Sequence, residues 1–341
     1  MRLLVIGGGW FVGRALVDAA VALGWRVTTF SRTGSGNRPG VEVVHGDRTS
    51  TEDLARLAAR GAWDAVVDVP GVVPAQVRDS VRALVGHAER YVLVSSVSAY
   101  RDWPAVPVTE ESPLLVGDPD EDPGAWQWGR GVYGRLKAGA EAALRRDLPP
   151  DRLLIIRPGV ILGPGEYSGR LTWWLSRVAR GGRMLAPGRS GRPIQPVDVR
   201  ELARFVLDLI GRQASGTYNV AAPAGHATFG GMLDACRTVT GGEAEFVWAG
   251  DDWLHSQGVR EWTELPLWRM AADTWQVDAS RSHRMGLRCR PLEQTVRDTW
   301  AWLTAGGRPV DDPRRALHGI DPARETTLLA AWLTNHVATP E

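Results

Sequence analysis

LLVIGGGWFVG, residues 3–13, is the stretch that decides the fold of this chain. Its first four residues form a short apolar run, which is typical of a buried parallel strand. Residues 14–23 then have the pattern of a helix, which Gly24 closes. A glycine-rich turn between a strand and a helix lets backbone N–H groups and the helix N-terminus face a pyrophosphate. Gly7 and Gly13 supply the outer glycines of such a turn, but Trp10 stands at its middle glycine. A tight turn without a ligand is therefore the alternative.

Short apolar runs alternate with helical segments over the first 160 residues. Five further strands are predicted at residues 26–30, 41–44, 63–69, 90–94 and 153–156, and the helices at about 51–60, 74–87 and 133–146. This alternation predicts an α/β fold, a Rossmann-like doubly wound parallel sheet. Ligands bind such sheets outside the carboxyl ends of the strands. We therefore expect the polar segments that follow the strands to border one crevice.

The end of the second strand indicates which dinucleotide the turn would hold. Sites for NAD usually place an acidic residue there, where it binds the ribose 2′-hydroxyl. This chain has Ser31 and Arg32 instead. A guanidinium beside a hydroxyl suits a 2′-phosphate, because arginine binds phosphate through paired hydrogen bonds. The sequence favours NADP, with NAD as the alternative cofactor and a solvated loop arginine as the alternative role for Arg32.

Tyr133 and Lys137 lie four residues apart at the start of a predicted helix. Residues i and i+4 share one face of a helix. An ammonium beside a phenol stabilises the phenolate, which lowers the tyrosine pKa from about 10 toward the range that proton transfer requires. An exposed helix face without a catalytic role gives the same spacing. Together with the glycine turn and the polar strand ends, the pair favours general acid–base chemistry.

These motifs, taken in order, resemble the short-chain dehydrogenase/reductases of the extended or atypical type, the superfamily of the NAD-dependent epimerases and dehydratases. The resemblance covers roughly residues 1–235 and rests on the loop 7–13, the segments 45–47 and 94–100, the Tyr133/Lys137 pair, and the segments 157–165 and 195–203. One sub-group has the loop G-G-T-R-F-x-G. In this chain Gly9 and Trp10 replace the Thr and Arg of that loop.

The resemblance implies a role for each matching residue. Tyr133 would be the general acid/base, and Lys137 would lower its pKa and bind the nicotinamide ribose. Ser96 would bind the substrate oxygen, with Ser98 as the competing serine. Asp47 would bind the adenine amino group, with an Asx turn as its alternative role; for Ser95 and Ser96 the alternative is capping of the strand end. The cofactor contacts that the resemblance and the strand ends imply are Gly7, Gly9, Trp10, Phe11, Val12, Gly13, Ser31, Arg32, Asp47, Arg48, Val69, Pro70, Gly71, Ser95, Tyr133, Lys137, Pro158, Gly159 and Val160.

The rest of the chain is expected to form a smaller, mixed α/β substrate-binding region. We expect residues 1–160 to form the NAD(P)-binding domain, residues 161–341 to form the smaller region, and residues about 194–225 to return to the first domain. The chain has 16 tryptophans, most of which must serve packing because Trp is large and apolar. The candidates for contact with substrate are Ser98, Trp103, Trp126, Trp128, Tyr167, Arg170, Trp173 and Arg192.

Composition argues against several other classes of protein. The net charge is +1 and no basic run is present, so nucleic acid is not an expected partner. No apolar stretch approaches the 18 residues of a membrane span, and the N-terminus reads as a strand rather than a signal peptide, which predicts a cytoplasmic protein. The two cysteines, Cys236 and Cys289, indicate neither a disulfide framework nor a metal site. A homodimer stays open as an alternative to a monomer.

Three functions are consistent with these motifs. The first is an NADP-dependent reductase of a ketone, or dehydrogenase of a secondary alcohol, in a small metabolite. The second is an NAD(P)-dependent epimerase or dehydratase of a sugar, sugar nucleotide or nucleoside. The third is a non-catalytic regulatory protein that binds NADP, since a fold does not fix a function. The Ser96, Tyr133 and Lys137 set argues against the third, and Arg32 favours the first over the second.

Overall fold

The computed structural model describes residues 1–33, 38–124, 131–308 and 318–336. The strands are β1 (Arg2–Ile6), β2 (Arg26–Ser31), β3 (Val41–His45), β4 (Ala65–Asp68), β5 (Tyr91–Val94), β6 (Leu153–Pro158), β7 (Ile161–Leu162), β8 (Gly182–Pro187), β9 (Pro193–Ile194), β10 (Val197–Asp198), β11 (Gly216–Val220), β12 (Ala227–Thr228) and β13 (Ala244–Ala249). The helices are α1 (Phe11–Ala22), α2 (Thr51–Ala58), α3 (Pro74–Leu84), α4 (Val132–Asp147), α5 (Arg170–Ala179), α6 (Val199–Gly211), α7 (Phe229–Thr240), α8 (Asp251–Ser256), α9 (Ser280–Arg284), α10 (Leu292–Thr304) and α11 (Pro322–His336).

Seven strands form one parallel sheet in the order β11-β6-β5-β4-β1-β2-β3. The chain starts in the middle of this sheet and winds outward in both directions, which confirms the predicted doubly wound fold. Parallel pairing places Ile6 beside Phe30 on one side and beside Asp68 on the other. The ends of β1, β2 and β4 therefore meet at one edge, where the glycine turn begins.

Alternation along β1 explains how the sheet is buried on both faces. Leu4 and Ile6 belong to a buried cluster that includes Leu57 of α2, Leu84 of α3 and Leu144 of α4. Leu3 and Val5 are also buried, and they point to the opposite face because successive strand side chains alternate. Helices α1 and α6 pack against each other, as do α3 and α4. Such two-sided burial is what a parallel sheet requires.

The described residues divide into two compact units. Unit 1 contains residues 1–161, 197–223 and 276–289, and unit 2 contains residues 162–196, 224–275 and 290–341. Strand β11 belongs to unit 1 and lies within the segment of about 194–225 that was expected to return to the first domain, although no strand was predicted there. The segment 276–289, which was expected in the smaller region, also belongs to unit 1. Helix α9 lies in that segment and packs on β11.

Unit 2 has its own small core. The strands β8 and β13 pair in parallel, β9 and β12 pair antiparallel, and α7 packs against both α5 and α10. A buried ion pair between Arg177 and Glu325, 2.7 Å apart, ties α5 to α11. Across the described ranges, no helix has both the length and the apolar character needed to cross a bilayer.

Candidate functional site

The glycine turn after β1 allows three close approaches of the backbone. Gly7 has a φ of 82°, and a Cβ built on it would lie 2.6 Å from Cδ of Pro70. A Cβ on Gly13 would lie 2.1 Å from the carbonyl oxygen of Gly7. One on Gly8 would lie 2.8 Å from Cγ2 of Thr29. Gly13 therefore lets α1 approach the end of β1 closely, as the glycine pattern predicts.

Helix α1 begins directly after this turn. Trp10 precedes the helix with extended backbone, and its side chain is 44% exposed. Phe11 is buried and has a φ of 22°, which is unusual for a residue other than glycine. The first turn of α1, all of which the structure describes, contains no acidic residue. The positive end of the helix dipole is thus not neutralised by its own side chains, which suits an anionic group.

The ends of β2 and β3 lie side by side, since Ser31 pairs with His45. Among the described residues, the Ser31 hydroxyl oxygen is buried without a hydrogen-bond partner. Arg32 is exposed. Asp47 Oδ1 accepts hydrogen bonds from the backbone nitrogen and the hydroxyl of Thr49, at 2.9 and 2.8 Å. These bonds, with a contribution from the charge of Arg32, lower the Asp47 pKa. Asp47 thus forms the Asx turn that the sequence left open, and its Oδ2 atom stays the candidate for adenine.

Arg48 points into the protein interior. Its two terminal nitrogens donate to both oxygens of Asp68, at 2.8 and 2.6 Å, and one of them also donates to Ser80 Oγ at 2.9 Å. The phenol of Tyr91 donates to Asp68 as well, at 2.9 Å. The guanidinium therefore serves a buried ion pair, and this geometry does not support the expected contact of the Arg48 side chain with a cofactor. The sequence analysis treated Asp68 as an ordinary strand residue, although a carboxylate within the run Ala65–Val69 was a signal.

Val69, Pro70 and Gly71 follow β4 and border the glycine turn through the contact between Pro70 and Gly7. A Cβ on Gly71 would lie 2.4 Å from Cδ1 of Leu93, so only glycine fits there without a shift. The carbonyl oxygen of Gly71 accepts a hydrogen bond from Nζ of Lys137 at 2.9 Å. The segment after β4 is thus joined both to the glycine turn and to α4.

Lys137 is the only lysine in the chain, and its side chain is almost completely buried. Its ammonium donates to the carbonyl oxygens of Gly71 and Val94, and it lies 5.8 Å from the ring centroid of Tyr133. Burial lowers its pKa from 10.5 to about 8, against the opposing effects of Asp68 and Glu141. The structure therefore brings together the two residues that the sequence paired.

The serines after β5 make local hydrogen bonds. Ser95 Oγ donates to Glu141 Oε1 at 2.6 Å, inside the core. Ser96 Oγ accepts from the backbone nitrogen of Ser98 at 3.1 Å, at the start of the 3₁₀ turn Val97–Ala99. Ser96 therefore has the capping role that the sequence left open. An accepted bond still leaves its hydroxyl proton to donate to a substrate oxygen.

Two glycines of α4 set the distance between this helix and its neighbours. A Cβ on Gly134 would lie 2.0 Å from the carbonyl oxygen of Ser98, and one on Gly139 would lie 2.6 Å from that of Asp118. Gly134 directly follows Tyr133 in the chain. The close packing of the 3₁₀ turn against α4 thus places the serine segment beside the tyrosine, which sequence spacing alone could not indicate.

A buried ion pair fixes the far side of α4. Arg157 donates to both oxygens of Glu141, at 2.9 and 2.6 Å, and to the hydroxyl of Tyr100 at 2.9 Å. Tyr100 in turn donates to Asn219 Oδ1 at 2.6 Å. Burial opposes the ionisation of Glu141, but the hydrogen bonds and charge of Arg157 outweigh it and lower the Glu141 pKa. Glu141 is one turn beyond Lys137, and the sequence analysis did not single it out.

The remaining candidates of unit 1 have mainly structural contacts. The backbone nitrogen of Gly159 donates to Val220, and the carbonyl of Val160 accepts from Val197, so the segment after β6 is held in place. Pro158 is the last residue of β6. Trp103 packs against a buried cluster that includes Tyr100. Trp126 and Trp128 lie outside the described residues.

The fold and this constellation match known proteins. The model of the NAD dependent epimerase/dehydratase family matches residues 3–221. This chain belongs to that family. It therefore belongs to the short-chain dehydrogenase/reductase superfamily, and the match supports an NAD(P)-dependent enzyme with a nicotinamide cofactor.

Two curated relatives and one solved structure define the neighbourhood of this epimerase/dehydratase family member. The 2'-dehydrokanamycin reductase of Streptomyces kanamyceticus is 36% identical over 192 residues, which are 53% of this chain and 50% of the relative. The chloroplast stem-loop binding protein of 41 kDa b of Arabidopsis thaliana is 25% identical over 257 residues, 70% of this chain and 63% of the relative. The chain thus spans less than two thirds of either relative. WbmH of Bordetella bronchiseptica, solved with NAD+, has a TM-score of 0.68 at 17% identity and covers 90% of this chain and 99% of its own.

The substrate candidates after residue 161 lie in unit 2. Arg170 lies over the ring of Trp262 with its guanidinium carbon 5.0 Å from the centroid, and Arg269 lies over the same ring at 4.4 Å. The Arg170 Nε atom is buried with no hydrogen-bond partner among the described residues. Trp173 stacks edge-on against Trp174 and packs against Gly319. Trp262 and Arg269 had not been singled out from the sequence.

Arg192 and Tyr167, the other two candidates of unit 2, differ in what surrounds them. Arg192 pairs with Asp251 and donates to the Arg269 carbonyl at 2.7 Å, so its guanidinium serves the fold of unit 2. Tyr167 is half-buried. Whether Tyr167, Arg170 or Trp173 contacts a substrate stays a prediction.

Proposed function

We propose that this protein is an NADP-dependent reductase that converts a ketone of a small, oxygen-rich metabolite into a secondary alcohol. The observation that carries the proposal is the buried Lys137 ammonium beside Tyr133, at the edge of the sheet where β4 and β5 end. A phenol next to a buried cation is suited to hold and transfer a proton. The curated relative from Streptomyces kanamyceticus, by its printed name, is also a reductase.

The residues present fit a nicotinamide dinucleotide. Glycines at positions 7 and 13 let the end of β1, the start of α1 and Pro70 approach one another closely. The N-terminus of α1 suits a pyrophosphate, since backbone N–H groups and the helix dipole both favour an anion. The buried hydroxyl of Ser31, which has no hydrogen-bond partner in the part of the chain that the structure describes, lies where a ribose would be expected, and Arg32 follows it. We propose that Ser31 and Arg32 hold a ribose 2′-phosphate, which makes NADP the preferred cofactor.

In the proposed reaction, the carbonyl carbon would accept a hydride from a bound, reduced nicotinamide. Tyr133 donates its phenol proton to the carbonyl oxygen, so the product is a neutral alcohol, and the phenolate regains a proton from solvent. Lys137 stabilises that phenolate while it lasts. The Ser96 hydroxyl donates a hydrogen bond to the same carbonyl oxygen, which holds it next to Tyr133.

Unit 2 holds a separate group of candidates for contact with substrate, Arg170 and Arg269 beside Trp262. The guanidiniums of Arg170 and Arg269 lie over Trp262, and the buried Nε of Arg170 has no hydrogen-bond partner within the described ranges. These donors support a substrate that carries many hydrogen-bond acceptors. An aromatic face flanked by arginine donors suits a sugar or another oxygen-rich ring. This part of the proposal rests on unit 2 considered by itself.

An epimerase or dehydratase is the second candidate, and the family match favours it as much as it favours a reductase. The two differ in what happens to the cofactor. We would incubate the protein with NADPH and a panel of ketones that includes 2'-dehydrokanamycin, and separately with UDP-glucose and NAD. A reductase oxidises NADPH in proportion to the alcohol formed; an epimerase converts its substrate with no net oxidation.

The third candidate is a non-catalytic protein that binds NADP. A relative whose printed name describes stem-loop binding keeps this alternative open. The net charge of +1 gives no support for a nucleic-acid surface in this chain. A protein that binds NADPH tightly, turns over none of the panel, and behaves the same as its Tyr133→Phe variant would favour this third candidate.

A further inference from the structure

The charge of the Asp68 carboxylate acts on the Lys137 ammonium and opposes the loss of its proton. Asp68, the last residue of β4, is completely buried. Its carboxylate accepts three hydrogen bonds from side chains inside the protein, two from Arg48 and one from Tyr91. Charged hydrogen bonds of this kind replace the hydration of a buried carboxylate and fix it in place.

Gly71 connects this carboxylate to Lys137. A Cβ built on Gly71 would lie 3.2 Å from both Cγ and Oδ1 of Asp68, so the carboxylate lies next to that glycine. The carbonyl oxygen of the same glycine accepts a hydrogen bond from Lys137 Nζ at 2.9 Å. The ammonium and the carboxylate are therefore neighbours across a single residue, in a region that excludes water.

Four charged side chains share this buried region. Asp68 comes from β4, Arg48 from the loop after β3, and both Lys137 and Glu141 come from α4. The ring of Tyr133, on the same helix, lies with its centroid 5.8 Å from the Lys137 ammonium. Burial lowers the Lys137 pKa to about 8, Asp68 and Glu141 oppose that effect, and Arg48 adds to it. Glu141 is engaged by Arg157 and Arg145, whereas Asp68 balances Arg48 and faces Lys137.

We infer that Asp68 is a positioning residue for Lys137: Arg48 and Tyr91 hold its carboxylate beside Gly71, and the carboxylate keeps the buried ammonium charged. Arg48 then acts through Asp68, which gives a reason for its inward placement. The inference rests on the proposed function for its catalytic meaning, because a charged Lys137 is what stabilises the Tyr133 phenolate.

Because Lys137 is the only lysine, its titration can be followed directly. Protein grown with lysine labelled with ¹³C at Cε gives one side-chain signal, whose shift reports the charge of this ammonium. The titration is recorded without cofactor or substrate for the wild type, for Asp68→Asn, and for Asp79→Asn as a control on an exposed carboxylate. We expect Asp68→Asn to lower the Lys137 pKa by about one unit or more, and Asp79→Asn to leave it unchanged.

An Asp68→Asn variant that is folded and titrates as the wild type does would overturn the inference. If Asp68→Asn does not fold, the double variant Arg48→Met/Asp68→Asn, which removes the buried cation together with its counter-charge, is compared with Arg48→Met alone. The double variant must have the lower Lys137 pKa, and an equal or higher value overturns the inference. These measurements need no turnover. If Asp68→Asn lowers the Lys137 pKa as expected but the protein has no reductase activity, the proposed function is refuted and this inference stands.

Discussion

The Nζ atom of Lys137 lies 5.8 Å from the centroid of the Tyr133 ring, one helical turn further along α4. The same nitrogen is fixed by the carbonyl oxygens of Gly71 and Val94, which follow or end two central strands of the sheet. These two hydrogen bonds fix the otherwise flexible lysine side chain, so its ammonium stays close to the Tyr133 ring. The predictions below follow from this arrangement and from the buried groups around it.

Tyr133→Phe should remove turnover and leave nucleotide affinity nearly unchanged. The substitution deletes only the hydroxyl that would donate the proton, and general acid–base groups typically contribute about 10²–10⁴-fold to rate. Steady-state kinetics with the accepted substrate and a nucleotide titration would measure the two effects. Turnover within a few-fold of the wild type would remove Tyr133 from the mechanism.

Lys137→Met should change the free energy of unfolding in a pH-dependent way. Its stability relative to the wild type should be higher at neutral pH than at high pH. The folded pKa of about 8 lies below the ordinary 10.5, so the unfolded chain binds the proton more tightly and burial of the ammonium is unfavourable below pH 8. That penalty, roughly 3 kcal/mol, disappears as the pH rises from about 8 to the ordinary value. Urea unfolding of both proteins at neutral pH and at about pH 10 would measure this penalty. A difference in stability independent of pH would contradict the assigned pKa.

Glu141→Gln should destabilise unit 1 by a few kcal/mol, because it leaves the buried Arg157 without its counter-charge. Breaking one partner of a buried pair typically costs about 3–5 kcal/mol. Glu245→Gln is the matched control, since the Arg183–Glu245 pair is 60% and 64% exposed. An exposed pair contributes only about 0–1 kcal/mol. Equal losses for both variants in denaturant melts would show that the Glu141 pair is not buried as described.

Gly13→Ala should weaken both stability and nucleotide binding. The added Cβ would lie 2.1 Å from the carbonyl oxygen of Gly7, so α1 or the glycine turn must move. Overpacking of this kind typically costs about 1–3 kcal/mol. Gly86→Ala is the control, because a Cβ there has no atom within 4 Å. Unchanged melting and unchanged affinity in Gly13→Ala would mean that close helix–strand contact is not needed.

The sequence was sufficient for features that depend on local pattern. The strand β1, the glycine turn and α1 were predicted because apolar runs, glycines and helical periodicity are adjacent in the chain. The Tyr133/Lys137 pair was predicted for the same reason, since both residues lie on one helix. Family resemblance then supplied their roles.

Features that depend on distant partners could not be predicted in this way. Arg48 was expected at the cofactor because it follows Asp47, but its guanidinium pairs with Asp68, 20 residues further along the chain. Glu141 was not singled out from the sequence, although this residue of α4 pairs with Arg157 of β6. Strand β11 starts with glycine and has little apolar character, and it forms because β6 offers an open edge. Such pairs form only when the whole unit packs, so a short stretch of sequence does not indicate them.

The central claim is that Ser31 and Arg32 make NADP the preferred cofactor. The most direct test is a calorimetric titration of the wild type and of Arg32→Ala with NADPH and with NADH. A charged hydrogen-bond pair to the 2′-phosphate contributes roughly 1.5–3 kcal/mol. The account predicts that the wild type binds NADPH at least about tenfold more tightly than NADH, and that Arg32→Ala loses this preference by weakening NADPH alone. A folded wild type that binds neither nucleotide, or binds both equally, would contradict it.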